Sequence, residues 1–150
     1  MDPTSTHLPI LNRLLAEKKV KDVLEFGCGL FSTKLFIEKG CNVTSIEMQH
    51  EEWATKVKEN LPKVDLILAL GPMEWVKHVA QLKDRYDLIF VDGHGDSRPE
   101  CMMWAKARTD LIVAHDTEHS YYCWDRADMD GWKKTEYKDL TPWTTVWERV

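Results

Sequence analysis

The sequence has no apolar run approaching the roughly 20 residues that a membrane-spanning helix needs, so no such span is expected. Its opening stretch, MDPTSTHLPI, lacks a basic region followed by a long apolar segment, and no secretory leader is expected there. Cysteine is sparse and scattered. Cys28, Cys41, Cys101 and Cys123 contain no Cys-x-x-Cys pair, which argues against a cysteine zinc site and a disulfide frame and for reduced thiols in a cytoplasmic protein. Positive charge is also short: the formal net charge is −5, so nucleic acid, which is usually bound on a basic surface, is not the expected partner. Internal repeats, low-complexity tracts and linkers are missing too. A length of 150 residues then predicts one domain over residues 1–150, with a real core and no room for a second.

What is present is strand alternating with helix. THLPILNRLLAEKK places Leu8, Leu11, Leu14 and Leu15 at helical spacing. KDVLEFG reads as a short strand, FSTKLFIEKG as a helix closed near Gly40, and CNVTSIEM as a second strand. HEEWATKVKENL is an amphipathic helix with two acids in its first turn, where the helix dipole favours them. VDLILAL, YDLIFVDG and DLIVAHD supply three further strands, separated by the helical stretches MEWVKHVAQLKDR and PECMMWAKAR. The runs LILAL, LIFV and LIVA are continuously apolar, as in strands buried on both faces of a parallel sheet. Beyond Asp116, WKKTEYKDL and TTVWERV read as two strands with no helix between them. The predicted fold is α/β: a doubly wound, Rossmann-like, mostly parallel seven-stranded sheet with a C-terminal antiparallel hairpin.

In such sheets ligands lie beyond the carboxyl ends of the strands, near the point where strand order reverses. The first strand ends at Glu25-Phe26-Gly27-Cys28-Gly29. Glycines there let a ligand approach the backbone, and the following helix offers free N–H groups. Glu47 stands twenty residues after Gly27, at the end of the second strand, where a carboxylate accepts hydrogen bonds from a ribose diol. A dinucleotide fingerprint requires a third glycine, but Ser32 occupies that position. Glu25 is poorly suited to a pyrophosphate and well suited to a cationic amino-acid group.

On these residues the sequence resembles the class I S-adenosylmethionine (SAM) dependent methyltransferases. EFGCGLFST, YDLIFVDGHGD and LIVAHDT look most like the small-molecule O-methyltransferase branch. The resemblance covers most of the chain. It departs in Phe31-Ser32-Thr33, which replaces the third glycine, and in the lack of a glycine pair before LIVAHD. It implies SAM as cofactor, with Gly27, Cys28 and Gly29 beside its methionine part and Ser32 and Thr33 opening the adjoining helix. Glu25 would act indirectly on the ammonium and Glu47 on the ribose, next to Met48. Gly71 to Glu74 would meet adenine, Met73 and Glu74 among them, and Asp92 would lie near the methyl group.

Methyl transfer requires an aligned nucleophile and removal of its proton. Asp92, His94, His115 and Asp116 are the catalytic candidates, imidazole being the group that titrates near neutral pH. The resemblance to catechol-type methyltransferases implies a magnesium ion held by Asp92 and Asp116, with Thr117 standing where that family has a stronger ligand. The aromatic and acidic stretch HSYYCWDRADMDGW reads as a wall over a small-molecule substrate, a helix on the sheet, or a contact within a homo-oligomer. Two other functions fit less of the pattern: a non-catalytic SAM-binding module working through a partner, and a nicotinamide-dependent oxidoreductase.

Overall fold

The computed structural model describes residues 2–150. Seven strands form one sheet in the order β3-β2-β1-β4-β5-β7-β6. The strands are β1 (Asp22–Phe26), β2 (Asn42–Glu47), β3 (Asp65–Leu68), β4 (Leu88–Val91), β5 (Leu111–His115), β6 (Trp132–Tyr137) and β7 (Thr144–Arg149). All neighbours are parallel except β5–β7 and β6–β7, so the expected reversed hairpin is present, with β7 inserted beside β5 and β6 left at the edge. The helices are α1 (Leu8–Glu17), α2 (Ser32–Glu38), α3 (Glu51–Asn60) and α4 (Arg98–Ala105).

The strand pleat sends alternate side chains to opposite faces, and this divides the core in two. Val23, Val43, Leu88, Phe90 and Val113 pack beneath Leu11 and Leu14 of α1, Phe36 of α2 and Val57 of α3. Leu24, Phe26, Ile46, Ile89 and Ile112 face Trp75, together with Cys101 and Met102 of α4. β4 and β5 are buried along their whole length, as their apolar runs predict.

Three expectations are corrected. LILAL is not buried on both faces: Leu68 and Leu70 are exposed, in and just after the edge strand β3, which has a neighbour on one side only. Residues Glu74–Gln81 form a 3-10 helix rather than an α-helix. Trp75 and Val79 within it, and Leu82 just after it, are drawn onto the core, Trp75 meeting Phe26 edge-on at 5.1 Å between ring centres. HSYYCWDRADMDGW is not one helix either. Two 3-10 turns, Ser120–Tyr122 and Trp124–Arg126, meet at Cys123, whose φ of 56° breaks any continuous helix.

On the α2 face an acidic side chain is enclosed in the apolar layer. Glu25 is completely buried and accepts hydrogen bonds from the hydroxyls of Ser32 (2.7 Å), Thr33 (2.6 Å) and Ser45 (2.6 Å). Ser45 is its direct partner across the β1–β2 ladder, and Ser32 and Thr33 open α2. Burial raises its pKa to about 7, partly offset by the three hydroxyl donors. Removing the carboxylate would strand these buried donors, so Glu25→Ala is expected to cost on the order of 3 kcal/mol in urea unfolding. The native state holds the proton more tightly than the unfolded chain, whose value is near 4.5, so this group's contribution to stability falls as pH rises from about 4.5 to about 7. Glu25→Gln should remove that part of the slope when both proteins are unfolded across the same pH range.

Candidate active site

The order of strands reverses between β1 and β4, and the loops leaving them lie side by side. The ladder continues past the strand ends: Gly27 N–H donates to the Ile46 carbonyl and Asp92 N–H to the Phe26 carbonyl, both at 2.8 Å. Gly27 has φ +93°, and a Cβ there would stand 2.4 Å from the Asp92 carbonyl oxygen. The protein's own packing therefore demands Gly27. Gly29 differs: its φ is ordinary and a Cβ would have no neighbour nearer than 3.9 Å. Nothing within the chain requires that position to be bare. A cavity of about 210 Å³ opens there, lined by Thr4, His7, Trp53 and Asp92 with the Cys28–Ser32 loop.

Glu47 is buried at the other side of this loop. Its Oε2 accepts the backbone N–H groups of His50 (3.0 Å) and Gln49 (3.3 Å), while Oε1 receives only the Cys28 thiol at 3.7 Å. A carboxylate has about four acceptor positions, so Oε1 retains capacity on the side of the glycine turn. Burial and the nearby Glu47 and Glu25 carboxylates raise the Cys28 pKa, so it stays a thiol. The Cys28 carbonyl accepts the Trp53 indole N–H at 2.9 Å, tying α3 to the loop. Leu70 and Met73, each 44% exposed, present apolar surface after β3, and Glu74 pairs with Lys77 there. Thr33 and Glu25 lie behind the loop as its support, and Ser32, at the edge of the cavity, joins them through its hydrogen bond to Glu25. The Met48 side chain is in the core with its sulfur against Gly93, so it offers the crevice nothing.

The carboxyl ends of β4 and β5 bring Asp92, His115 and Asp116 together. His115 Nδ1 is 3.4 Å from Asp92 Oδ1 and 3.7 Å from Asp116 Oδ1. Its Nε2 is 2.9 Å from the Thr6 hydroxyl, which itself donates to the Pro142 carbonyl at 2.8 Å, so Nε2 carries a proton and Thr6 accepts it. Burial lowers the His115 pKa, but the Asp92 hydrogen bond and the two carboxylate charges outweigh it and the net shift is upward. For Asp92, burial acts upward and is overcome by His115 and the Arg98 charge, leaving it lowered. Asp116 holds φ 59°, a left-handed conformation uncommon outside glycine. His94 is not part of this group: its Nδ1 accepts the Asp96 N–H at 3.2 Å and caps the turn Gly95–Ser97.

Arg98 went unread in the sequence and is central here. Its guanidinium donates to the carbonyls of His115 (2.6 Å) and Gly93 (3.2 Å) and stands 3.4 Å from both Asp92 Oδ1 and Asp116 Oδ2. The Tyr122 ring covers it at 4.4 Å. A cation at the first residue of a helix opposes the helix dipole, and that placement is the signal the sequence carried. The expected magnesium on Asp92 and Asp116 does not fit: the guanidinium already lies between the two carboxylates, and Thr117 uses its hydroxyl to accept from Thr145 at 2.7 Å. His7 was missed as well. It caps nothing and is 2% exposed, with its ring 4.6 Å from that of His115. Burial, reinforced by the His115 charge, lowers its pKa to about 4, so it is neutral. Its partners lie far away in sequence, and no local pattern announces them.

No protein-family model matches the chain, and no curated protein matches it. Solved structures do. An O-methyltransferase from Bacillus cereus in complex with SAH superposes with TM-score 0.71 at 14% identity, over 99% of this chain and 82% of that one. The O-methyltransferase TomG from Streptomyces achromogenes, in complex with SAM, gives 0.71 at 16%, over 100% and 81%. A Burkholderia thailandensis 1,6-didemethyltoxoflavin-N1-methyltransferase gives 0.63 at 14%, over 99% and 79%. The chain has the fold of the class I SAM-dependent methyltransferases, O-methyltransferase-like members included. Among the described residues no helix is long and apolar enough to cross a membrane.

The two loop glycines should separate in experiment. Gly27→Ala meets backbone at an impossible distance and should lower the thermal midpoint by several degrees, about 4–8 °C per kcal/mol for a domain of up to about 100 residues and somewhat less for this one. Gly29→Ala should melt with the wild type.

Proposed function

We propose that the chain is a SAM-dependent methyltransferase acting on a small-molecule acceptor, with oxygen as the favoured acceptor atom. The observation that carries this reading is Gly29, a position left bare at the switch point although the protein's own packing does not require it, with Glu47 one strand over. Bound there, SAM would supply an electrophilic methyl group. The backbone of Gly27–Gly29 would lie beside its methionine part, Glu47 Oε1 would accept from the ribose, and Leu70 and Met73 would cover the adenine. Glu25 acts from behind the loop, by fixing the start of α2.

Asp92 lines the crevice and is the carboxylate that the acceptor meets. It would accept a hydrogen bond from the acceptor hydroxyl, turn an oxygen lone pair toward the methyl carbon, and take up the hydroxyl proton as the new C–O bond forms and the C–S bond of SAM breaks to leave SAH; alignment of this kind is a main source of rate in a displacement. His115 and Arg98 hold that carboxylate from the far side. Oxygen is favoured by the Asp92-Gly93-His94 sequence after β4, where amino-methylating relatives often carry an Asn-Pro-Pro-Tyr type of motif. Both O- and N-methyltransferases are among the structural neighbours, so the acceptor atom rests on this local chemistry.

Calorimetry should show SAM and SAH binding and no heat with NAD; tight binding of NAD alone would overturn the reading. Glu47→Ala should weaken SAH by about 5–100-fold, the loss of one or two buried hydrogen bonds at roughly 1–3 kcal/mol. Gly29→Ala should also weaken it while leaving the fold intact. Asp92→Ala should abolish turnover of a phenolic or other hydroxyl acceptor yet retain SAH binding.

A further inference from the structure

Sequence spacing gave no reason to join His7 to Asp92 and His115, yet one ligand atom from each lies within 4.8 Å of the others. We propose that these three side chains form a binding site for one divalent first-row transition ion, zinc fitting best, at the floor of the crevice. Both ring nitrogens of His7 are buried and have no hydrogen-bond partner. A neutral imidazole has one donor and one acceptor, and leaving them unmet in the interior is costly. A group bound in the cavity that His7 lines would supply the missing partner. His7 and Asp92 both line the cavity beside the glycine loop, which gives an ion a way in.

The geometry of the other two groups favours a metal as that ligand. Two donors bound tetrahedrally at about 2.0–2.1 Å stand about 3.4 Å apart, and His115 Nδ1 and Asp92 Oδ1 are 3.4 Å apart. The far side of His115 is built as metal-binding histidines usually are. Its Nε2–H is held by Thr6, which is anchored in turn on the Pro142 carbonyl, so the ring is oriented with Nδ1 inward. In the metal-free chain Nδ1 shares a proton with Asp92, and the ion takes that place. Once His115 has released its Nδ1 proton to solvent, two carboxylates against the single guanidinium of Arg98 leave negative charge to receive the ion. Two imidazoles and one carboxylate select zinc, cobalt or iron over magnesium. Three protein ligands leave a coordination position open, as in catalytic rather than structural zinc sites.

This site does not rest on the cofactor reading, and the two fail separately. The chain, stripped of metal and free of SAH, is titrated with Co2+ and followed by d–d absorption and calorimetry. One equivalent should bind with a tetrahedral spectrum, zinc should displace it, and millimolar Mg2+ should not. His7→Ala should weaken Co2+ at least tenfold, whereas His119→Ala, in the neighbouring Asp116–Glu118–His119 group, should bind as the wild type does. In the unmutated chain, the imidazole 15N resonances of His7 and His115 should move on adding zinc, a readout that survives if His7→Ala does not fold. Absence of stoichiometric Co2+ binding, equal affinity in a folded His7→Ala, or unmoved His7 and His115 resonances would each overturn the proposal.

Discussion

The structure turns on a carboxylate that never meets solvent. Glu25 binds Ser45 on the next strand and Ser32 and Thr33 at the start of α2, so one side chain joins β1, β2 and the helix that closes the glycine turn. A charge in that position would be intolerable without donors, and the three hydroxyls are what make it acceptable. The loop between Gly27 and Phe31 is thus fixed from beneath and free above. The same face carries Val23 and Phe90, so this polar knot sits inside an apolar layer. Its effect is to turn a flexible glycine segment into a defined surface.

Around the ends of β4 and β5 the logic is charge balance. Asp92 and Asp116 are drawn together by Arg98 and His115, and each partner is itself held by a second contact: Arg98 by two carbonyls and the Tyr122 ring, His115 by Thr6. Gly95 has its place in this arrangement, since a Cβ there would meet the Tyr122 ring at 2.5 Å. The aromatic stretch after β5 accordingly packs over the guanidinium.

Much of this was legible in the sequence, and the failures have physical causes. Continuous apolar runs gave the parallel strands, and the change of pattern after Asp116 gave the hairpin. The same rule misjudged LILAL, because an edge strand packed on one side can be as apolar as a central one. MEWVKHVAQLKDR is helical over Glu74–Gln81 with Trp75 buried, but the backbone there takes 3-10 rather than α geometry, a difference that apolar spacing does not resolve. In the site, Glu25, Gly27 and Glu47 stood out because their spacing along two adjacent strands is local. His7, Thr6 and Arg98 did not, because their partners come from distant segments. His94 stood as a candidate beside His115 because it lies two residues from Asp92 in sequence, yet its side chain caps the following turn instead.

The hydrogen bond from Thr6 to the Pro142 carbonyl spans 136 residues, and Glu118 accepts the Trp143 N–H at 2.9 Å just beside it. His115 is therefore aimed by two segments that lie near opposite extremes of the chain and meet only once β7 has slotted in beside β5. During synthesis the parallel strands can assemble early, whereas the orientation of this imidazole must wait for the closing hairpin to emerge. Nascent protein lacking that hairpin would leave Thr6 without its Pro142 acceptor, so the His115 ring would gain its final anchor only after the parallel strands had paired.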